Sequence, residues 1–132
     1  MSEQAERWMA FAQEELRMAE LAMREGIFNQ VCFHCQQCAE KAVKSLIAAQ
    51  GASIPRTHRL TDLLEGVAPE ENPMKHLAAD IKLLDRYYIP TRYPDALPGA
   101  LEASLPDKSD ALEALYTARR TLDEVEQYLR GR

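Results

Sequence analysis

The stretch 27–50, IFNQVCFHCQQCAEKAVKSLIAAQ, decides the fold. Ile27, Val31, Cys35, Ala39, Ala42, Val43, Leu46 and Ile47 recur at helical spacing, and the apolar character covers more than one side of the helix. Such a segment has to bury itself against several neighbours at once. It is expected as the central helix. Upstream, Gly26 breaks the periodicity, and the segment from about Gln4 to Glu25 carries a single stripe of Trp8, Phe11, Ala12, Leu16, Ala19, Ala22 and Met23 with charges on the other side.

Downstream, a loop through Pro55 leads to a short helix with Leu60, Leu63 and Leu64, with Thr57 as its expected N-cap. A fourth helix is expected to start at Asn72-Pro73, carry Leu77, Ile81 and Leu84, and end before Pro90. The last runs from about Asp107 to Leu129 with a stripe of Leu112, Leu115, Ala118, Leu122, Val125 and Leu129. Nothing reads as a strand pair. The fold class expected is all-α: an antiparallel bundle of four long helices plus one short helix, in a single domain over 1–132. The segment from Ile89 to Pro106, with four prolines and a glycine, is too long for an ordinary bundle connection and is a candidate functional loop.

With 132 residues and 46% hydrophobic content, the chain can form one real core. A net charge of -5 argues against a nucleic-acid coat, and RNA binding stays open as a local property. The acidic start is not a secretory signal, and no run approaches the roughly 18 apolar residues that cross a bilayer. A cytoplasmic location follows, with no membrane partner and reduced thiols; three cysteines also make a poor disulfide set.

Three constellations could carry chemistry. Gln30, His34, Gln37, Lys41 and Lys44 fall on one face of the central helix, flanked by Glu40. They read either as a cleft wall holding a phosphate, a nucleotide or an acidic partner, or as the solvent stripe of a mostly buried helix. The segment Arg86-Tyr87-Tyr88-Ile89-Pro90-Thr91-Arg92-Tyr93-Pro94-Asp95 joins arginines and tyrosines in a stiff turn that could stack a base or seat a carboxylate. Its plainer reading is a structural corner in which Arg92 and Asp95 pair. Cys32, His34, Cys35 and Cys38 form the third, with C-x-x-C spacings, but on a continuous helix the cysteines span about 120° and about 9 Å of rise, which a tetrahedral ion cannot easily collect. His58 and His76 stand apart from these groups. No catalytic group, metal ligand or cofactor is assigned from the residues.

Taken in order, Phe33-His34-x-Gln36-Gln37-x-x-Glu40-Lys41-x-x-Lys44, then Thr57-His58-x-Leu60, then Tyr87-x-x-x-x-Arg92-Tyr93-Pro94-Asp95 resemble the HEPN family over nearly the whole chain. The resemblance implies a helical bundle that usually forms a homodimer and is commonly paired with a minimal nucleotidyltransferase, often as a toxin–antitoxin module. It also implies that some members are metal-independent ribonucleases, whose active site is an arginine followed after four to six residues by a histidine. This chain departs from that pattern, because its last histidine, His76, precedes both Arg86 and Arg92. It is therefore expected to be a non-catalytic binding module, with Gln30, His34, Gln37, Glu40, Lys41, Lys44, Arg86, Arg92, Tyr93 and Asp95 as candidates for holding a ligand, a nucleotide or the partner. The alternatives are a ribonuclease using His34 or His58, and a purely structural helical dimer.

Overall fold

Helix α2, Phe28–Ala49, is the rod around which the rest is arranged, and most of its residues are buried. The computed structural model describes residues 2–88 and 105–131, and over these the fold is all-α. Helix α1 spans Glu3–Arg24, α3 Leu60–Glu65, α4 Ala78–Leu83 and α5 Lys108–Arg130. Turns of 3-10 helix at Lys75–Leu77 and Leu84–Tyr87 extend α4 at both ends, so the fourth helical segment is a longer rod of mixed winding. No helix among the described residues is long and apolar enough to cross a membrane.

Helices α1 and α5 flank α2. Ser45 on α2 donates from its hydroxyl to the Ala5 carbonyl of α1 at 2.7 Å, while Glu15 of α1 reaches His34, so α1 and α2 run antiparallel. Across α1 and α5, Glu20 meets Arg119 and Gln13 meets Glu126, so these two are also antiparallel. Helices α2 and α5 are therefore parallel to each other, which requires the α3–α4 excursion to carry the chain back between them.

The α1 seam is made of small side chains. Ala5, Ala12 and Ala19, spaced by seven, are all fully buried, with Met9 beside them. Ala12 and Ala19 belong to the expected stripe, and Leu16, Ala22 and Met23 of that stripe pack partly buried against the core. Phe11, expected inside, is 52% exposed and meets Trp8 edge-on at 6.2 Å. Ile27 and Leu112 are likewise exposed, at 47% and 51%. Ile27 lies before the first turn of α2, as its N-cap, and Leu112 gives the inner position to Ala111, Ala114 and Leu115. The other apolar positions expected on α2, α3, α4 and α5 are buried.

Helix ends follow local chemistry. Ser2 accepts from the Ala5 N–H, and Asp107 and Asp110 form a reciprocal capping box for α5. Two expected starts differ. Thr57 does not cap α3; it accepts from the Arg59 N–H and donates to Asp62, and α3 begins after Arg59. Asn72 accepts from the Met74 N–H in a local turn, so the fourth segment begins three residues later, at Lys75.

Both α1 and α2 end in the same way. Gly26 and Gly51 take φ of 71° and 74°, and the residue after each donates back five positions, Ile27 to the Ala22 carbonyl and Ala52 to that of Ile47. A Cβ at either glycine would meet nothing within 4 Å, so the only penalty for a side chain is the backbone conformation. Gly51→Ala is expected to lower the unfolding free energy by about 1 kcal/mol with an unchanged denaturant slope. An unchanged denaturation midpoint would show that this turn does not need the left-handed conformation.

Candidate functional site

The polar face of α2 lies between α1 on one side and the α3 approach on the other. Its polar side chains could not be left unpaired at this depth, and two carboxylates settle them. Glu15, projecting from α1, accepts from His34 Nδ1 at 2.6 Å through one oxygen and from Lys41 Nζ through the other. Glu40, on α2 itself, accepts through Oε2 from Lys44 Nζ at 2.8 Å and from His58 Nδ1 at 3.2 Å. Each carboxylate thus holds one lysine and one histidine. A carboxylate can only accept, so the ring proton sits on Nδ1 in both imidazoles and Nε2 is the remaining ring nitrogen.

The Glu40 side chain is only 3% exposed, and its Oε1 has no hydrogen-bond partner among the described residues. Removing one member of such a buried pair costs about 3–5 kcal/mol, whereas replacing both by apolar groups is often neutral or better. The Glu40–Lys44 pair is therefore a poor device for stability alone. Burial would raise the Glu15 carboxyl, but the hydrogen bonds from His34 and Lys41 outweigh it and hold the group below the usual carboxylate range.

Aromatic rings border this face. Lys44 Nζ lies 4.9 Å from the Trp8 ring centroid. His58 stacks on Tyr88 with centroids 5.3 Å apart and planes within 10°, and Phe33 lies 6.3 Å from Tyr88. Gln37 donates to Gln36 at 2.7 Å, and Gln36 to the His58 carbonyl at 3.1 Å, which ties the His58 turn to α2.

Of the residues singled out in the sequence, His34 and Lys41 meet on Glu15, and Glu40, Lys44 and Gln37 belong to the group around His58. Gln30 is half-buried one turn before His34. Arg86 lies apart, its guanidinium 4.9 Å from the Tyr87 ring, beside a small cavity that Asp80, Glu113 and Thr117 also line. Arg92, Tyr93 and Asp95 lie outside the described residues. Trp8, Glu15 and Gln36 are members of the site that the sequence candidates omit, and His58 entered there only as an alternative ribonuclease histidine. Glu15 shares the edge of α1 with Trp8, one signal the sequence did offer. His58 is not isolated, but its partners, Glu40 and Tyr88, are far from it along the chain. His76 also has neighbours, Arg120 at 3.3 Å and Glu124 at 3.8 Å, on the opposite flank.

The three cysteines are fully buried. Burial pushes the Cys32 thiol up to about 12 and raises Cys35 and Cys38 as well, so all three stay protonated at neutral pH. Among the described residues no group of three or more histidine, cysteine, aspartate or glutamate side chains is placed to hold a metal ion.

The family model described as HEPN domain matches residues 5–128. The crystal structure of TT1696 from Thermus thermophilus is 36% identical and superposes with a TM-score of 0.85, covering 96% of this chain and 99% of that one. That of ST0689, described as an archaeal HEPN homologue, is 32% identical with a TM-score of 0.75, covering 96% and 98%. A Methanocaldococcus jannaschii protein named as a candidate toxin, MJ1304, is 28% identical over 128 residues, covering 90% of this chain and 84% of its own length.

Two measurements follow from the site. Because the Glu15 carboxyl is depressed in the fold, its contribution is fully present above the unfolded value of about 4.3 and is lost as pH falls through the lower folded value. The unfolding free energies of the parent chain and Glu15→Gln should differ near neutral pH and converge in acid; a gap independent of pH would mean that Glu15 acts through packing. The thiols should resist a disulfide reagent in the native protein and react in full in denaturant, and a thiol titrating within seconds in the folded state would contradict their burial.

Proposed function

The chain belongs to the HEPN domain family, and from that premise we propose that it is the HEPN half of a toxin–antitoxin-like pair, a binding module that forms a homodimer and holds a minimal nucleotidyltransferase. The relative named as a candidate toxin supports that setting. The observation that carries the binding role is the state of the α2 face. Its two lysines and the two histidines are already tied to Glu15 and Glu40. They are not free cations awaiting a phosphate. They form a fixed, charge-balanced surface, and a surface ordered in advance loses less entropy when a partner docks. The sequence supplies no histidine after Arg86 or Arg92, so the usual ribonuclease pairing of the family has no counterpart here. Leu83, Leu112 and Tyr116 stand exposed on α4 and α5, and a homodimer that covered them would take apolar surface out of water.

One observation favours a second reading. Glu15 holds His34 through Nδ1, which orients the ring and leaves Nε2 as the nitrogen that a general base would use. On that reading the chain cleaves RNA without metal.

The tagged chain, purified from its host, should bring down a small nucleotidyltransferase in near-equal amount. Lys41→Ala should lower that recovery about tenfold, a loss of about 1.4 kcal/mol, with the helical circular dichroism signal intact. Recovery unchanged in Lys41→Ala would move the contact off the α2 face, and recovery of the chain alone would remove the nucleotidyltransferase from the proposal. Incubation with structured RNA decides the second reading: cleavage that survives chelator and disappears in His34→Ala would establish a nuclease in place of a binding module.

A further inference from the structure

The wall of the α2 face opposite α1 is made by two rings from distant parts of the chain, His58 and Tyr88. Neither sits on a long helix. His58 lies in the approach to α3, a helix of six residues whose N-cap residue, Arg59, makes no side-chain cap. Tyr88 follows the 3-10 turn Leu84–Tyr87. Two such segments have no intrinsic reason to keep a fixed distance, yet the rings stack within 10° of parallel.

A single residue refers both segments to one point. Asp85 Oδ1 accepts from the Leu60 N–H at 2.7 Å. Its Oδ2 accepts from the Thr61 N–H and from the Thr61 hydroxyl, both at 3.1 Å. The two backbone donors lie in the first turn of α3, where a helix leaves N–H groups without internal partners. The backbone carbonyl of Asp85 accepts from the Tyr88 N–H at 3.3 Å. The side chain therefore holds the turn two residues after His58, and the main chain holds Tyr88 itself.

We propose that Asp85 is a positioning residue of the candidate site: it sets the His58–Tyr88 stack, and through His58 it fixes one of the two donors on Glu40. This rests on the reading of the α2 face as a binding surface. The Asp85 side chain bonds to Leu60 and Thr61 and to none of the charged groups on that face, so it acts through the segments it holds.

The test is Asp85→Asn in the full chain. The amide keeps one acceptor and turns an N–H2 toward the two Thr61 donors. The helical circular dichroism signal should be retained while the ring-to-ring cross-peaks between His58 and Tyr88 disappear from the nuclear Overhauser spectrum. Cross-peaks of unchanged intensity would overturn the proposal. In recovery of the nucleotidyltransferase, Asp85→Asn and His58→Ala should each cost about tenfold and the double variant no more than either alone, because residues acting through one another are not additive. Losses that multiply would show that Asp85 works by another route. Should the parent chain recover no nucleotidyltransferase, the functional proposal fails, and the cross-peaks alone then decide for or against Asp85. Should Asp85→Asn fail to fold, Thr61→Val, which removes only the hydroxyl contact, takes its place: weakened cross-peaks support the positioning role and unchanged ones overturn it.

Discussion

The burial of α2 governs everything else. A helix packed against α1, α5 and the α3–α4 excursion has little surface left, and any polar group it carries sits close to the core. Burying an unpaired charge is far more costly than burying a hydrogen-bonded pair. The remaining stripe of α2 therefore has to bring its own counter-charges or borrow them. Glu40 comes from α2 itself and Glu15 is borrowed from α1, and the two together account for Lys41, Lys44, His34 and His58.

Pairing changes what the face can do. Two free lysines would form a phosphate cradle in an otherwise acidic protein. Two lysines clasped by carboxylates form a nearly neutral surface with directional donors and acceptors. Such a surface selects partners by fit and hydrogen-bond pattern, since long-range attraction needs unbalanced charge. The bordering rings of Trp8, His58 and Tyr88 add contact area at low entropic cost.

The sequence carried the fold well, because helical periodicity is a local signal. Val31, Ala39, Val43 and Leu46 are buried as their spacing demands. Periodicity is less able to say where each stripe ends. On α1 it counts Phe11 as inside because the residue is apolar, when the inner line is set by Ala5, Ala12 and Ala19, whose size permits close approach. The site was half legible. Residues on one helix, His34 to Lys44, follow from a wheel. Glu15, His58 and Asp85 depend on contacts across 19, 18 and 25 positions, and no local pattern encodes those. The capping of α3 shows the same limit: the nearby Thr57 is the obvious choice by sequence, but a carboxylate from a later turn takes that role.

The alanine seam of α1 also bears on how such a sequence drifts over generations. At Ala5, Ala12 and Ala19 the methyl is the entire side chain and each position is fully enclosed. Variation there is filtered by size before hydrophobicity: glycine or serine can be accommodated, while leucine, a better apolar residue by any transfer scale, would wedge α1 from α2. Because Glu15 stands on that same helix, between Ala12 and Ala19, a wedge of even one methylene moves the carboxylate away from His34 and Lys41. Homologous chains should therefore vary freely along the outer side of α1 and stay small along this line, so that steric selection on three featureless residues preserves an electrostatic contact made by a fourth.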